Sequence, residues 1–511
     1  MAVDLTDCLR LREEDNGLRA VLIVHPGYDP SELNVETLKS QIPAMGIQPQ
    51  AIDSQAVEAL VKECLQAPDE THEALVAHGT APEHGKPGSF EYTAEIQEQF
   101  DLIEHRKTIL EALGPEEEPE SNDHINFREQ SAFVIVEKGQ QVGTRTEPTC
   151  GIDGCDVFGG TLAAKTGADH AKKLDKTLKV QPNGAVVATI AGVVIDDGQR
   201  VRISPILEVH GAVDYSTGNI SFPGDVLVEK GVKDQFEVRS GKSVQVRGLV
   251  EAARIEAREN VILLGGMAAR TKGSVRAGRH LRARYLDAAR VEVGGSCSVE
   301  NEASGCDMTV CGSLCAEGAV VRGGIYRAAM GAQIKTLGAA GGAKTELIVG
   351  RQAEQDELLC RIAALIPELE SAAADADARY QTLAKNITKM TASQAEELTE
   401  LQFAVSEKRQ QAEAVKTRAG KLSELILKTV RPKVHIKGEI FRGVTIWLRR
   451  VRLDFTSNVK GPVDLLLDEN DRVQLLESNS GRELAIEGVA RVHMDNSVLS
   501  MPQMRELAAA A

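Results

Sequence analysis

Nine cysteines are the residues in this 511-residue chain with the most chemical reach. CDMTVCGSLC places Cys306, Cys311 and Cys315 with four and then three residues between them, Cys297 lies just upstream, and CGIDGC separates Cys150 from Cys155 by four. Thiolates two to four residues apart close a tetrahedral zinc site when two such pairs meet on turns. These spacers depart from C-x-x-C, and the cysteines fall inside or beside short strand-like alternations, where a thiol serves as a small hydrophobe. The expectation is packing rather than metal binding or redox chemistry. An odd count in a large chain also suits a reducing compartment better than a disulfide framework.

Three other patterns invite chemistry. GAAGGAKT (Gly338 to Thr345) resembles a phosphate loop, but Ala343 precedes Lys344 where Gly-Lys-Ser/Thr is required, and the strand-like TELIVG follows in place of a helix. Asp214, Asp225 and Asp234 could supply carboxylates, and Arg247, Arg270, Arg276, Arg282 and Arg284 a basic stripe. All three aspartates stand at turns, where Asp is favoured for local hydrogen bonding. His78 and His84 flank GTAPE, and His72 and His105 are near only in sequence, without triad or metalloprotease spacing. No catalytic, cofactor-binding or metal-ligating residue is assigned, and no cofactor is expected.

Residues 1–125 read as an α+β domain with an acidic linker. LRAVLIVHPG is a strand, VETLKSQIPAMG and SQAVEALVKECLQ are helices, VAHGTAPEHGKPGSFEY is a strand, turn and strand, and GPEEEPESNDH is a solvated run. Residues 126–206 form a region of short strands and glycine turns.

Across 207–350 the pattern turns regular, with Val209, Val228, Val246, Leu263, Leu281 and Val299 recurring about every 18 residues. One coil of three short strands per repeat is the economical reading, a parallel β-helix whose coils bury their inward side chains only by stacking. The class is therefore mainly β with α. In 351–430 glycine and proline nearly vanish, and Leu359, Ile362, Ile366, Leu369, Leu383, Ile387 and Met390, then Val405, Ala412, Val415, Leu422 and Ile426, recur at helical spacing. Two long helices turning near KMTASQAEE would make an antiparallel coiled-coil hairpin, a single long rod being the alternative. Residues 431–470 return as strands that cap the β-helix, and 471–511 are expected to be strands and loops ending in a partly disordered tail.

The run from SPILEVHGAVDYSTGNISFPGDVLVEKG through VRGLVEAARIEA and VILLGGM resembles the flagellar assembly protein A family, as do GIDGCDVFGGTLAAKTG, VAHGTAPEHGKPGSFEY and VHIKGEIFRGVTI in the same order. The resemblance spans roughly residues 10–450. It implies a bactofilin-like β-helix core, a small N-terminal domain, a helical insertion and a non-enzymatic part in polar flagellum assembly. Partners implied in the same way are a flagellar placement GTPase and the dephosphorylated glucose-specific enzyme IIA of the sugar phosphotransferase system. The cysteine cluster at 297 to 315 departs from the family pattern.

A formal charge of −16 and 3% aromatic residues argue against nucleic acid as a partner. The charged start MAVDLTDCLRLREEDNG and the lack of an 18-residue apolar run argue against a signal peptide or membrane span. A cytoplasmic protein, recruited to the cell pole if the family role holds, is expected to work through protein contacts, with a second copy of itself among the candidates for the helical arm. The competing classes are a carbohydrate-active β-helix enzyme, which would need aligned carboxylates in a groove, and a self-assembling bactofilin-like filament.

Overall fold

The computed structural model describes residues 4–113, 128–385 and 391–510. The acidic run Gly114 to His124, the start of the arm's turn at Lys389, and the apolar positions Ile387 and Met390 lie outside the described residues. The chain divides into two compact units, 1–98 with 137–190 and 195–203, and 99–136 with 191–194 and 204–511.

In the first unit, strands Leu9–Glu14, Arg19–Val24 and His72–His78 form an antiparallel sheet. The first two are joined at Asp15, Asn16 and Gly17, all with positive φ, the backbone that a tight hairpin demands. Helices α1 (Val35–Ala44) and α2 (Ser54–Gln66) start where Asn34 and Asp53 accept the first free backbone N–H groups. Their apolar stripes, Leu38 and Ile42 on α1 and Val57, Leu60 and Cys64 on α2, pack into one core with Leu22, Val24 and Val76. A second sheet orders Leu178–Val180, Ala185–Ala188, Gln141–Thr146 and Ser89–Tyr92. Helix α3 (Ala94–Leu113) begins just after the last of these strands in sequence and belongs to the second unit from Gln99 onward; it has no marked apolar stripe.

From Ile206 the second unit is a β-solenoid of about 8 turns at about 18 residues per coil. Each coil repeats three inward ladders. One runs Val226, Val244, Val261, Leu281, Cys297, Leu314 and Ala332 in parallel register. Another runs Val238, Ile255, Val275, Val291, Met308 and Tyr326. The third is narrower, from Val213 through Val232 and Val250 to Met267. Every residue in these ladders is buried, and each fully buried Val or Leu contributes roughly 1.5–3 kcal/mol, so the stack is held by repetition.

Leu281 does not occupy the place expected of it. It stacks on Val261 and Cys297, whereas Ala283 stands between Leu263 and Val299. The coil before it is lengthened by a loop in which Arg270 and Thr271 take positive φ, and the next coil is shorter by the same amount. Mean spacing conceals such a compensated slip.

Small polar residues line one corner. The Asp225 carboxylate accepts the Ser243 N–H at 3.1 Å, Ser243 Oγ that of Asn260 at 3.4 Å, His280 Nδ1 that of Ser296 at 3.2 Å, and Ser296 Oγ that of Ser313 at 3.3 Å. Except at the step from Asn260 to His280, where the Asn260 Oδ1 is buried without a partner, each of these coils satisfies a bend amide of the next, a group that would be costly to leave unpaired.

After strand Thr345–Val349 the chain leaves the solenoid as α4 (Ala353–Ala384), returns as α5 (Ala392–Thr429), and re-enters at Lys433–Ile440, where Val434 pairs with Ala332. Buried Leu359, Ile366 and Ala373 on α4 face Val405, Ala412, Ala419 and Ile426 on α5, all at seven-residue intervals. That is the seam of a two-helix coiled coil. Ion pairs from Arg409 to Asp377 at 3.1 Å and Lys416 to Glu370 at 2.5 Å bridge the helices, so the antiparallel hairpin holds and the single rod is excluded.

The last parallel coil is followed by antiparallel strands Val451–Phe455, Val463–Leu467, Val473–Glu477 and Ala490–Met494. Where a ragged tail is expected, α6 (Met501–Ala509) forms with a Ser500 capping box and buries Met504 against Leu359, Ile426 and Val430 at the root of the arm.

Candidate functional site

The cysteines separate once the coils are wound. Cys297 and Cys306 point inward and are fully buried, Cys315 is half-buried, and Cys150, Cys155 and Cys311 are exposed. Burial pushes the Cys306 thiol up to about 11 and raises that of Cys297 further, which keeps both protonated and unreactive. Among the described residues no three His, Cys, Asp or Glu side chains converge as a metal site.

The glycine run 338–344 is a bend between strands Ala332–Leu337 and Thr345–Val349. Its anchor is the buried Thr345, whose hydroxyl accepts the Gly323 N–H at 2.8 Å and donates to the Ala343 carbonyl at 3.0 Å. Asp214 accepts the N–H and hydroxyl of Ser216, and Asp225 holds the corner at Ser243. Asp234 keeps one buried oxygen without a hydrogen-bond partner. His72 contacts the Ala67 carbonyl at 2.8 Å, and His84 accepts the Lys165 N–H at 3.2 Å.

The arginines do not make one basic stripe. Arg247 reaches Glu229 at 3.8 Å and Arg282 reaches Glu300 at 2.7 Å, while Arg276 belongs to a different face. That face is a checkerboard. Along one outward column stand Glu237, Arg254, Ser274, Arg290 and Asp307, and along the other Arg239, Glu256, Arg276, Glu292 and Thr309. Arg239 meets Glu237 at 2.6 Å and Glu256 at 3.4 Å, Arg254 meets the same two carboxylates at 3.4 and 2.6 Å, and Arg276 meets Glu292 at 3.5 Å.

Each exposed pair is worth at most about 1 kcal/mol. The consequence is compositional: these carboxylates each stand beside a guanidinium, whereas glycoside hydrolysis needs two carboxyls facing each other across a cleft, one of them protonated. This surface is electrically balanced and suited to contact.

The root of the arm carries a polar lock that sequence reasoning misses. The turn Leu448 to Val451 holds Arg449 and Arg450 side by side. Arg449, with φ +55, is wholly buried and donates to Asp356 at 2.9 Å and to the Gly350 carbonyl at 3.2 Å. Asp356 in turn accepts the Gln352 N–H at the first turn of α4. Arg450 lies 3.1 Å from Asp471, which accepts the Met501 N–H that opens α6. Burial raises the Asp471 carboxyl above its ordinary value even though Met501 and Arg450 oppose the rise.

Beside this lock, Arg351 stacks 4.6 Å from the ring centre of Trp447 and bonds Asp495 at 2.7 Å. Two adjacent arginines thus tie the feet of α4 and α6 to one turn of the solenoid. The only sequence signal was the unusual RRVR at 449–452.

The first unit holds another cluster without a motif. Tyr92 donates to Asp196 at 2.7 Å, and Lys172 bonds the same carboxylate and lies 5.1 Å from the Tyr92 ring centre. Burial raises the Tyr92 phenol, and it would raise Asp196 as well, but Lys172, Tyr92 and the Gly198 N–H together hold that carboxyl below its usual range.

Together these features define a β-solenoid protein with an inserted, root-anchored helical arm. The chain belongs to the Flagellar Assembly Protein A family: the family's beta solenoid domain matches residues 205–472 and its N-terminal region matches residues 9–199. Its broad role is accordingly flagellar-assembly-like. Neither the curated proteins nor the solved structures contain a match. Among the described residues no helix is long and apolar enough to cross a membrane.

Proposed function

We propose that this chain is a non-enzymatic adaptor that supports polar flagellum assembly by holding other proteins on its solenoid faces and helical arm. The observation that carries this reading is the anchored arm: a coiled coil of 32- and 38-residue helices whose root is fixed by buried Arg449, Asp356 and Met504 while its outer faces stay exposed. Such a projection presents side chains away from the solenoid in fixed order, which is useful for contact and contributes nothing to a cleft. The domain division follows the same reading, with the solenoid over 207–350, the arm over 351–430 and the returning strands over 431–470.

The partners this reading favours are a flagellar placement GTPase and the dephosphorylated glucose-specific enzyme IIA, met in the cytoplasm and at the cell pole. The test is affinity capture from native cells with the intact chain and with residues 351–429 replaced by a short linker, after circular dichroism has confirmed that the solenoid remains folded. Capture of flagellar placement or motor proteins that disappears with the arm supports the adaptor. Capture of envelope or cytoskeletal proteins alone, or of none, refutes the flagellar part of it.

A further inference from the structure

Helix α5 has two faces, and the fold uses only one. Its buried positions, Val405, Ala412, Ala419 and Ile426, are turned toward α4. On the opposite side, Glu400, Phe403, Glu407, Gln410, Ala414, Arg418, Lys421, Leu425 and Lys428 are all exposed. At 3.6 residues per turn, every one of these lies within about 40° of the direction of Ala414, so they form one stripe about 42 Å long. Phe403 is 72% and Leu425 48% exposed, and no other large apolar residue in the described part of the chain is as open as Phe403.

The stripe is charge-segregated. From Ala392 to Glu407 α5 carries four glutamates and no basic residue, whereas from Lys408 to Thr429 it carries six basic residues and two acidic ones. It is also nearly palindromic about Ala414. Counting equal distances on either side, Glu400 matches Lys428, Phe403 matches Leu425, Glu407 matches Lys421, and Gln410 matches Arg418. A two-fold axis at Ala414 that crosses two α5 helices antiparallel makes each of these matches an intermolecular contact, and makes it twice, since an isologous interface uses every pair in both directions. Acid then faces base, Phe403 covers Leu425, and the small Ala414 meets its own copy where the helices approach most closely.

The single chain does not already consume the central pair. Glu407 accepts a hydrogen bond from Gln411 one turn along at 3.1 Å, which a lysine from another chain can join. Lys428 does bond Glu424 on its own helix, so the outer pair contributes less than the inner one.

We propose that two copies of this chain associate through the outer faces of their α5 helices, antiparallel about Ala414. The pairing of Phe403 with Leu425 and of Glu407 with Lys421 selects a second copy over an unrelated helix, because complementarity over the whole stripe comes from the chain's own sequence. Parallel association would oppose like charges at both ends, which disfavours that register.

Sedimentation equilibrium of the full-length chain across low to high micromolar concentration tests this, with far-ultraviolet circular dichroism to confirm that each variant is folded. Glu407→Lys places two like-charge contacts in the interface and is expected to weaken the dimer about tenfold or more. Lys421→Glu does the same, and the double swap restores association. Phe403→Ala weakens it independently of charge. A monomer at every concentration overturns the proposal, as does a dimer indifferent to Glu407→Lys and Phe403→Ala. As a geometric check, Ala414→Cys forms an oxidised cross-linked dimer well above the level given by Glu413→Cys, which lies about 100° around the helix; equal cross-linking at the two positions refutes the axis.

Discussion

Replacing Asp356 by alanine isolates the lock at the root of the arm. The Arg449 side chain is wholly buried and that of Asp356 is 5% exposed, so the substitution leaves a guanidinium out of water with the Gly350 carbonyl as its remaining oxygen partner. Removing one member of a buried pair costs about 3–5 kcal/mol. The lost bond to the Gln352 N–H adds about 1 kcal/mol, the scale of a helix cap. Taking the lower end of the pair and adding the cap, local stability at the arm root falls by about 4 kcal/mol, which corresponds to roughly several hundred-fold faster exchange of protected amides wherever opening is local.

Hydrogen–deuterium exchange read by mass spectrometry should show this in the first turns of α4 and throughout α6, while strands 225–293 of the solenoid stay as protected as before. The double variant Asp356→Leu with Arg449→Met removes both charges and replaces them with apolar volume, and it is expected to recover most of the protection. Unchanged exchange in Asp356→Ala refutes the lock. A double variant as exposed as the two single changes combined refutes its electrostatic basis.

Three further outcomes follow from the coils and the arm's foot. Gly248→Ala would bring a Cβ within 1.2 Å of the Lys230 carbonyl oxygen, whereas a Cβ at Gly211 meets nothing within 4 Å; thermal unfolding should show a loss of about 2 kcal/mol or more for the first and almost none for the second. Thiol labelling of the native chain with a maleimide should mark Cys150, Cys155 and Cys311 quickly and leave Cys297 and Cys306 unmarked until denaturation, and early labelling of Cys297 would contradict the inward stack.

Asp495 gives a pH dependence. Hydrogen bonding from the Ser497 hydroxyl, with help from the Ser497 N–H and Arg351, lowers its carboxyl from 3.8 to about 2. A depressed folded-state value means that its stabilisation is complete above 3.8 and is lost as pH falls toward and below about 2. Because Arg351 also stacks on Trp447, the sole tryptophan, fluorescence should report that acid transition, and Asp495→Asn should remove the pH-dependent component.

Much of the fold is legible because a solenoid writes its geometry in a period. Val209, Val228 and Val246 take equivalent places in successive coils, as their spacing says, and Leu359, Ile366, Val405, Ala412 and Ile426 form the arm seam that their helical rhythm requires. What spacing could not reveal was compensation, as at Leu281 and Ala283, where one coil lengthens and the next shortens. The lock was hidden for another reason: Arg449 and Asp356 are 93 residues apart, and nothing local to either one requires the other. The checkerboard of Glu237, Arg239, Arg254 and Glu256 becomes visible only when the parallel register sets one coil against the next. Helix α6 was missed because its short apolar set, Met501, Met504 and Leu507, has meaning only against the arm root that covers it.

Flagellation in cells that lack the native gene tests the central claim most directly. Cells complemented with the intact chain and cells complemented with the chain whose residues 351–429 are replaced by a linker would be compared by counting and locating flagella in electron micrographs, at matched protein levels. The adaptor account predicts that the intact chain restores polar flagella and that the armless chain leaves them absent or misplaced. Normal number and position with the armless chain would contradict it.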